Sequence, residues 1–179
     1  EMIPRSERPP IHRRIADVLQ REFPEVAEHH PDLMALHCTE AGLCEKAIEF
    51  RIKAARMALD RSAGVEAHHQ VQAAIDALPG IASRGGRRQL DGRLQVARAE
   101  ALVMTTGFSS PAVMEALSRA RELLDEDVDP LPALGVLCGL FNYHLIRSDS
   151  KTCLALAQSR RERGLDRPTT TVLHYLRGT

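Results

Sequence analysis

The sequence predicts an all-α fold: an α-solenoid, a right-handed superhelical array of antiparallel helix pairs. Three observations carry that reading. Ala, Leu, Glu, Arg and Gln are abundant, and alternating β-branched runs are missing. Pro and Gly punctuate the chain at helix-length intervals. Small residues recur where paired helices must approach closely, with larger ones between them.

The elements follow in order. "PPIHRRIADVLQREF" sets Pro before a first turn, then Ile11, Ile15, Val18 and Leu19 at helical spacing. Pro24 breaks or restarts that helix. "PDLMALHCTEAG" starts at Pro31 and stops at Gly42, the expected terminators. "LCEKAIEFRIKAARMALDRSA" continues to Ala63, and the next helix runs to Leu78 before Pro79-Gly80. "IASRGGRRQ" reads as a polar loop. A long helix from about Gln89 ends at Gly107, and Ser109-Ser110-Pro111 opens another that fades in "DEDVDPLP". Leu131 to Arg147 and Ser150 to Arg163 complete the series, with a last helix after Pro168. The expectation is nine helices packed two by two: about 10–41, 44–79, 87–125 and 131–163, with a partial pair at 168–179. Residues 1–9 read as a linker. The opening Glu1-Met2 and the close in "TTTVLHYLRGT" read as the ends of a piece cut from a larger protein.

Composition narrows the function classes. Lys plus Arg and Asp plus Glu both number 24 in 179 residues, so no net field draws nucleic acid or an anionic membrane. Aromatics are 3% and Trp is absent, so stacking platforms for single strands are not expected. The four cysteines, Cys38, Cys44, Cys138 and Cys153, form no CxxC and read as reduced thiols of a cytoplasmic protein. No stretch approaches the length of a membrane-spanning helix, and no cofactor motif is present; GxxxxGK[ST] does not occur.

An internal repeat is visible. In the register Arg51-x2-Ala54-Ala55-x2-Ala58, then Ala67-x3-Val71, then Pro79, the small residues Ala55 and Ala67 and the closing Pro79 match the tetratricopeptide pattern, while the large positions match poorly. "LQVARAEALVMTTGF" with "PAVMEALSRARELL" is a second unit, placing Ala99 at the small position and Leu102 at the packing one. "LCGLFNYHLIRSDSKTCLALAQSRRERG" is a third. Their spacing is roughly 40 residues, longer than the family's 34.

From about Pro10 onward, in "IHRRIADVLQREFPEVAEHHPDLMALHCTEAG" and again in "LCGLFNYHLIRSD", the chain resembles the tetratricopeptide-like region that follows the ATPase module in large bacterial signalling ATPases. Many of those carry a class III adenylate or guanylate cyclase domain. The resemblance is one of texture and order, with no catalytic motif in it. It implies a non-catalytic scaffold segment that senses or holds a protein or peptide, including other domains of its own chain. Apolar end faces of such an array also permit self-association.

His68 and His69 are adjacent on one helix and point about 100° apart, so they do not chelate one metal together. His29, His30, His37, Cys38 and Cys44 are metal-ligating types, yet Cys38 and Cys44 straddle the Gly42 turn and no fourth ligand follows. The Ser83–Arg88 loop has the charge and glycines to hold an anion, and more often such a loop is a solvated linker. Glu122, Asp125, Glu126, Asp127 and Asp129 read as a solvated acidic run. Asn142, Tyr143 and His144 offer polar groups to a small ligand held between helices. The leading candidate is a partner groove. The first helices of the pairs would present Glu49, Ile52 and Arg56, then Arg93, Val96 and Glu100, then Cys138, Asn142 and Leu145. This mixed apolar and charged stripe suits a peptide or a neighbouring domain.

Overall fold

Proline opens five of the helices, because its fixed φ suits the first turn, where its missing N–H costs nothing. The computed structural model describes Pro4 and residues 7–125 and 128–162. Within them run α1 (Arg8–Glu22), α2 (Pro24–His29), α3 (Pro31–Glu40), α4 (Cys44–Asp60), α5 (Gly64–Ala77), α6 (Arg84–Thr106), α7 (Pro111–Leu123), α8 (Pro130–Ile146) and α9 (Ser150–Glu162). A 3-10 turn at Leu78–Gly80 follows α5. No strand occurs among the described residues, so the all-α expectation holds. Pro24 restarts the chain as a separate short helix. The helix expected after Pro168 lies outside the described residues.

Two boundaries differ from the sequence reading. Helix α1 begins at Arg8, inside the expected linker. Helix α6 begins at Arg84, so the basic glycine stretch is a first helical turn and not a loop. The reason is a cap: Ser83 Oγ accepts from the Gly86 backbone N–H at 3.2 Å, satisfying an N–H that the helix itself leaves open. The cap outweighs two glycines in the first turn.

Three tight turns share one hydrogen-bond pattern. A left-handed residue, Gly42 (φ 71°), Ser62 (φ 60°) or Ser148 (φ 58°), ends the helix. The next residue's N–H then reaches back to a carbonyl of the last turn: Leu43 to Cys38 at 2.8 Å, Ala63 to Ala58 at 2.8 Å, Asp149 to His144 at 2.9 Å. This hairpin turn recurs between α3 and α4, α4 and α5, and α8 and α9.

Among the described residues, every substantial helix contact joins helices no more than two places apart in the chain. Three apolar clusters follow one another. Ala16, Ala27, Met34, Cys38 and Ala47 tie α1 to α4. Ile48, Ala55, Ala58, Ala67, Val71, Leu94 and Ala101 fill the space between α4, α5 and α6. Ala99, Leu102, Val113, Ala116, Leu117, Val136 and Leu140 join α6, α7 and α8. Helices α4 and α6 each feed two clusters, one on either side. The positions expected to be small, Ala55, Ala67 and Ala99, are all buried at these seams.

Candidate functional site

A concavity of about 620 Å³ opens between α4, α6, α7 and α8. It gathers five residues of the predicted stripe: Arg56, Val96, Glu100, Cys138 and Asn142. The other four stand elsewhere. Ile52 is buried in the core between α4, α5 and α6, because the apolar face of α4 turns toward α5. Glu49 and Arg93 are exposed two turns N-terminal to Arg56 and Glu100, beyond the end of the concavity. Leu145 is exposed near the C-terminal end of α8. Five of the nine share one hollow, and Ile52 shows that the α4 part of the stripe mixes a core face with an exposed one. The site takes the C-terminal halves of α4 and α6 and the region 131–142 of α8.

Helix α8 explains why the space is open. Its sequence, PLPALGVLCGLFNYHLI, is apolar on nearly every side. Ala133, Val136, Leu140 and Tyr143 are buried. Leu131, Leu134, Gly135, Cys138, Gly139 and Asn142 face the concavity, and several are too small to fill the gap toward α6. A Cβ added at Gly135 would meet no atom within 4 Å. A helix apolar all round is ordinarily enclosed. Here Leu131 is 78% exposed, with Met104 and Phe108 also exposed on the opposite lip. Exposed large apolar residues clustered about one hollow mark binding surfaces.

Asp60, Leu59, Val103, Met104, Phe108, Leu131 and Leu134 were not singled out from the sequence, yet all line the site. Asp60 was legible: it lies one turn after Arg56. Glu100 is exposed as a residue, but loss of water around its carboxyl raises its pKa. Arg56 opposes that rise and Asp60 adds to it.

The remaining candidates fall apart as sites. His68 is half-buried with a buried, unpartnered Nδ1, and its neighbour His69 is exposed, so the two rings occupy different environments. His29 Nδ1 lies 2.8 Å from the Glu25 carbonyl of its own helix. His37 instead meets His12 of α1, Nδ1 to Nδ1 at 2.9 Å. Among the described residues, no three His, Cys, Asp or Glu side chains group as metal ligands. Cys38 and Cys153 are buried, and Cys44 and Cys138 half-buried. The basic turn is engaged internally: the Arg88 guanidinium donates to the Glu122 carbonyl oxygen at the end of α7. Asn142, Tyr143 and His144 diverge. Asn142 lines the concavity, Tyr143 is buried, and His144 faces a second hollow between α7, α8 and α9, pairing with Asp149 at 3.1 Å.

No family model, curated protein or solved structure matches this chain. No helix among the described residues is long and apolar enough to cross a membrane.

Proposed function

We propose that this chain is a non-catalytic protein-interaction domain, a tetratricopeptide-like helical array that seats a partner segment in the concavity between α4, α6 and α8. The observation that carries the reading is the open side of α8: an apolar helix face left uncovered beside a hollow lined by Arg56, Asp60 and Glu100. Packing limited to near neighbours, with a recurring hairpin turn, supports the repeat-array reading. The assignment to a cytoplasmic scaffold segment of a bacterial cyclase-type signalling ATPase rests on the sequence resemblance alone.

The test is to fill the hollow from inside. Gly135→Leu starts a side chain on the lining where a Cβ finds no neighbour, so it is expected to block the site at little cost to packing. Binding to peptides selected from a displayed library is expected to fall at least about tenfold in this variant, with circular dichroism unchanged. Peptide binding indifferent to Gly135→Leu overturns the proposal. A second reading, a small apolar ligand sensed between the helices, is favoured by the volume of the hollow, which is that of a ligand pocket. A metabolite that raises the melting temperature of the wild type but not of Gly135→Leu would establish it instead.

A further inference from the structure

The lining of the concavity is chemically one-sided. Its charged side chains are Arg56 and Asp60 on α4 and Glu100 on α6; those from α7 and α8 are Val113, Leu117, Leu131, Leu134, Cys138 and Asn142, with the glycines Gly135 and Gly139. Two carboxylates against one guanidinium leave one negative charge uncompensated. Among the described residues, Arg56 closes no salt bridge with Asp60 or Glu100. A carboxylate at the edge of an apolar hollow attracts a cation more strongly than one in open water. The rim of the concavity carries exposed apolar side chains on both sides, Met104 (43% exposed) and Phe108 (37%) at and just beyond the end of α6 and Leu131 (78%) on α8, which give up water only when covered.

We infer that the site recognises a protein segment that sets one lysine or arginine beside Asp60 and Glu100 and lays large apolar side chains on Val103, Met104, Phe108 and Leu131. This rests on the protein-interaction reading above and narrows its partner. Charge fixes the register of the segment, and apolar burial holds it. An acidic segment meets two carboxylates and is rejected. The raised pKa of Glu100 agrees with this: a cation delivered on binding replaces the water the carboxyl has lost. Affinity therefore weakens as pH falls and Glu100 takes up its proton.

The experiment is selection of a random displayed peptide library on the full chain. Enriched sequences are then measured as synthetic peptides by fluorescence anisotropy on the wild type, Glu100→Gln and Gly135→Leu. The expected winners carry one Lys or Arg among at least two large apolar residues. Glu100→Gln weakens them about tenfold, and so does replacing the peptide's basic residue by norleucine. The two losses do not add, because they remove the same contact. Lowering the pH from neutral to the ordinary glutamate value of 4.5 weakens wild-type binding more than it weakens Glu100→Gln, because the raised pKa of Glu100 lies above that value. Enrichment of neutral or acidic peptides, bound equally by Glu100→Gln yet blocked by Gly135→Leu, overturns the cationic requirement while the interaction reading stands. Winners that ignore Gly135→Leu, or no enrichment at all, overturn both. Concentration-dependent dimerisation of the wild type, abolished by Gly135→Leu, gives the face to a second copy and also overturns the inference.

Discussion

Helices α4, α5 and α6 form a closed block; α6, α7 and α8 form an open one. Both are three consecutive helices sharing one apolar cluster, and both use alanine in that cluster and a glycine at a close approach, Gly64 against α6 in the first and Gly139 against α7 in the second. They differ in where the small residues lie. In the first block Ala55, Ala58, Ala67 and Ala74 let the backbones close up, and Ile48, Val71 and Leu94 fill what remains. In the second, Gly139 closes tightly on Leu117 of α7 as the alanines of the first block do, but Gly135 and Cys138 lie on the side of α8 that faces the concavity. The gap toward α6 stays unfilled, and Leu131 and Leu134 line it. Small residues close a seam when larger neighbours fill the space around them. On an apolar helix whose flank is uncovered, they make a hollow.

The largest effect expected from this contrast is at Leu94, which is fully buried in the closed block. Leu94→Ala should cost about 2–5 kcal/mol in chemical denaturation. Leu131→Ser, at the open lip, should stay within about 0.5 kcal/mol of wild type. Similar losses at both positions would mean that the lip is packed in solution and the hollow is closed.

Enlarging small residues sharpens the contrast further, because the sign changes. Ala55 has no exposed surface, and Ala55→Leu should destabilise by about 1–3 kcal/mol through overpacking. Gly135→Ala finds open space, so removing a mid-helix glycine should stabilise by about 0.5–1 kcal/mol. Thermal unfolding of the two variants, scored by direction, is the measurement.

The N-terminal joint responds to pH. Burial lowers the pKa of His37, and the nearby His12 lowers it further. A histidine whose folded pKa is depressed binds fewer protons folded than unfolded. Its contribution to stability is intact above the ordinary value of 6.5 and is lost as pH falls through the window beneath it. Protection factors of the α1 amides, corrected for the slower intrinsic exchange in acid, should fall on acidification from about pH 7.5 to about pH 5.5, and His37→Gln should flatten that response.

Much of this architecture was legible in the sequence. Proline and glycine marked most helix ends, and the buried seams at Ala55, Ala67 and Ala99 followed from the small-residue register. The start of α6 was missed because Gly85-Gly86 outweighed the signal from Ser83, whose capping bond declares the helix. Arg56, Val96, Glu100, Cys138 and Asn142 come to one hollow, since 3.6-residue periodicity fixes which residues share a side. How far along each helix the lining runs was not legible, because periodicity says nothing about how far one helix slides along another. Leu131 carries a readable signal: an apolar run on all sides of α8 needs cover on every side, and α7 and α9 supply only part of it.

The smallest expected effect on stability is at Glu100, and it separates a working carboxylate from a structural one. The folded pKa is raised above 4.5, with desolvation the leading cause. Folding therefore favours the protonated form, and stability falls as pH rises from the ordinary value through the raised one. At neutral pH the ionised carboxylate is a slight burden, relieved in part by Arg56 and increased by Asp60. Glu100→Gln should leave stability unchanged or raise it, within about 0.5 kcal/mol, and should flatten the stability profile in mildly acidic solution. The same substitution is expected to weaken a cationic partner, so stability and binding move in opposite directions, as they do where a site keeps a group for function at some cost to the fold. A loss of about 1 kcal/mol or more on denaturation would instead make Glu100 a tie between α6 and Arg56 of α4. The open block would then be held as tightly as the closed one, and the contrast between them would fail at its most informative residue.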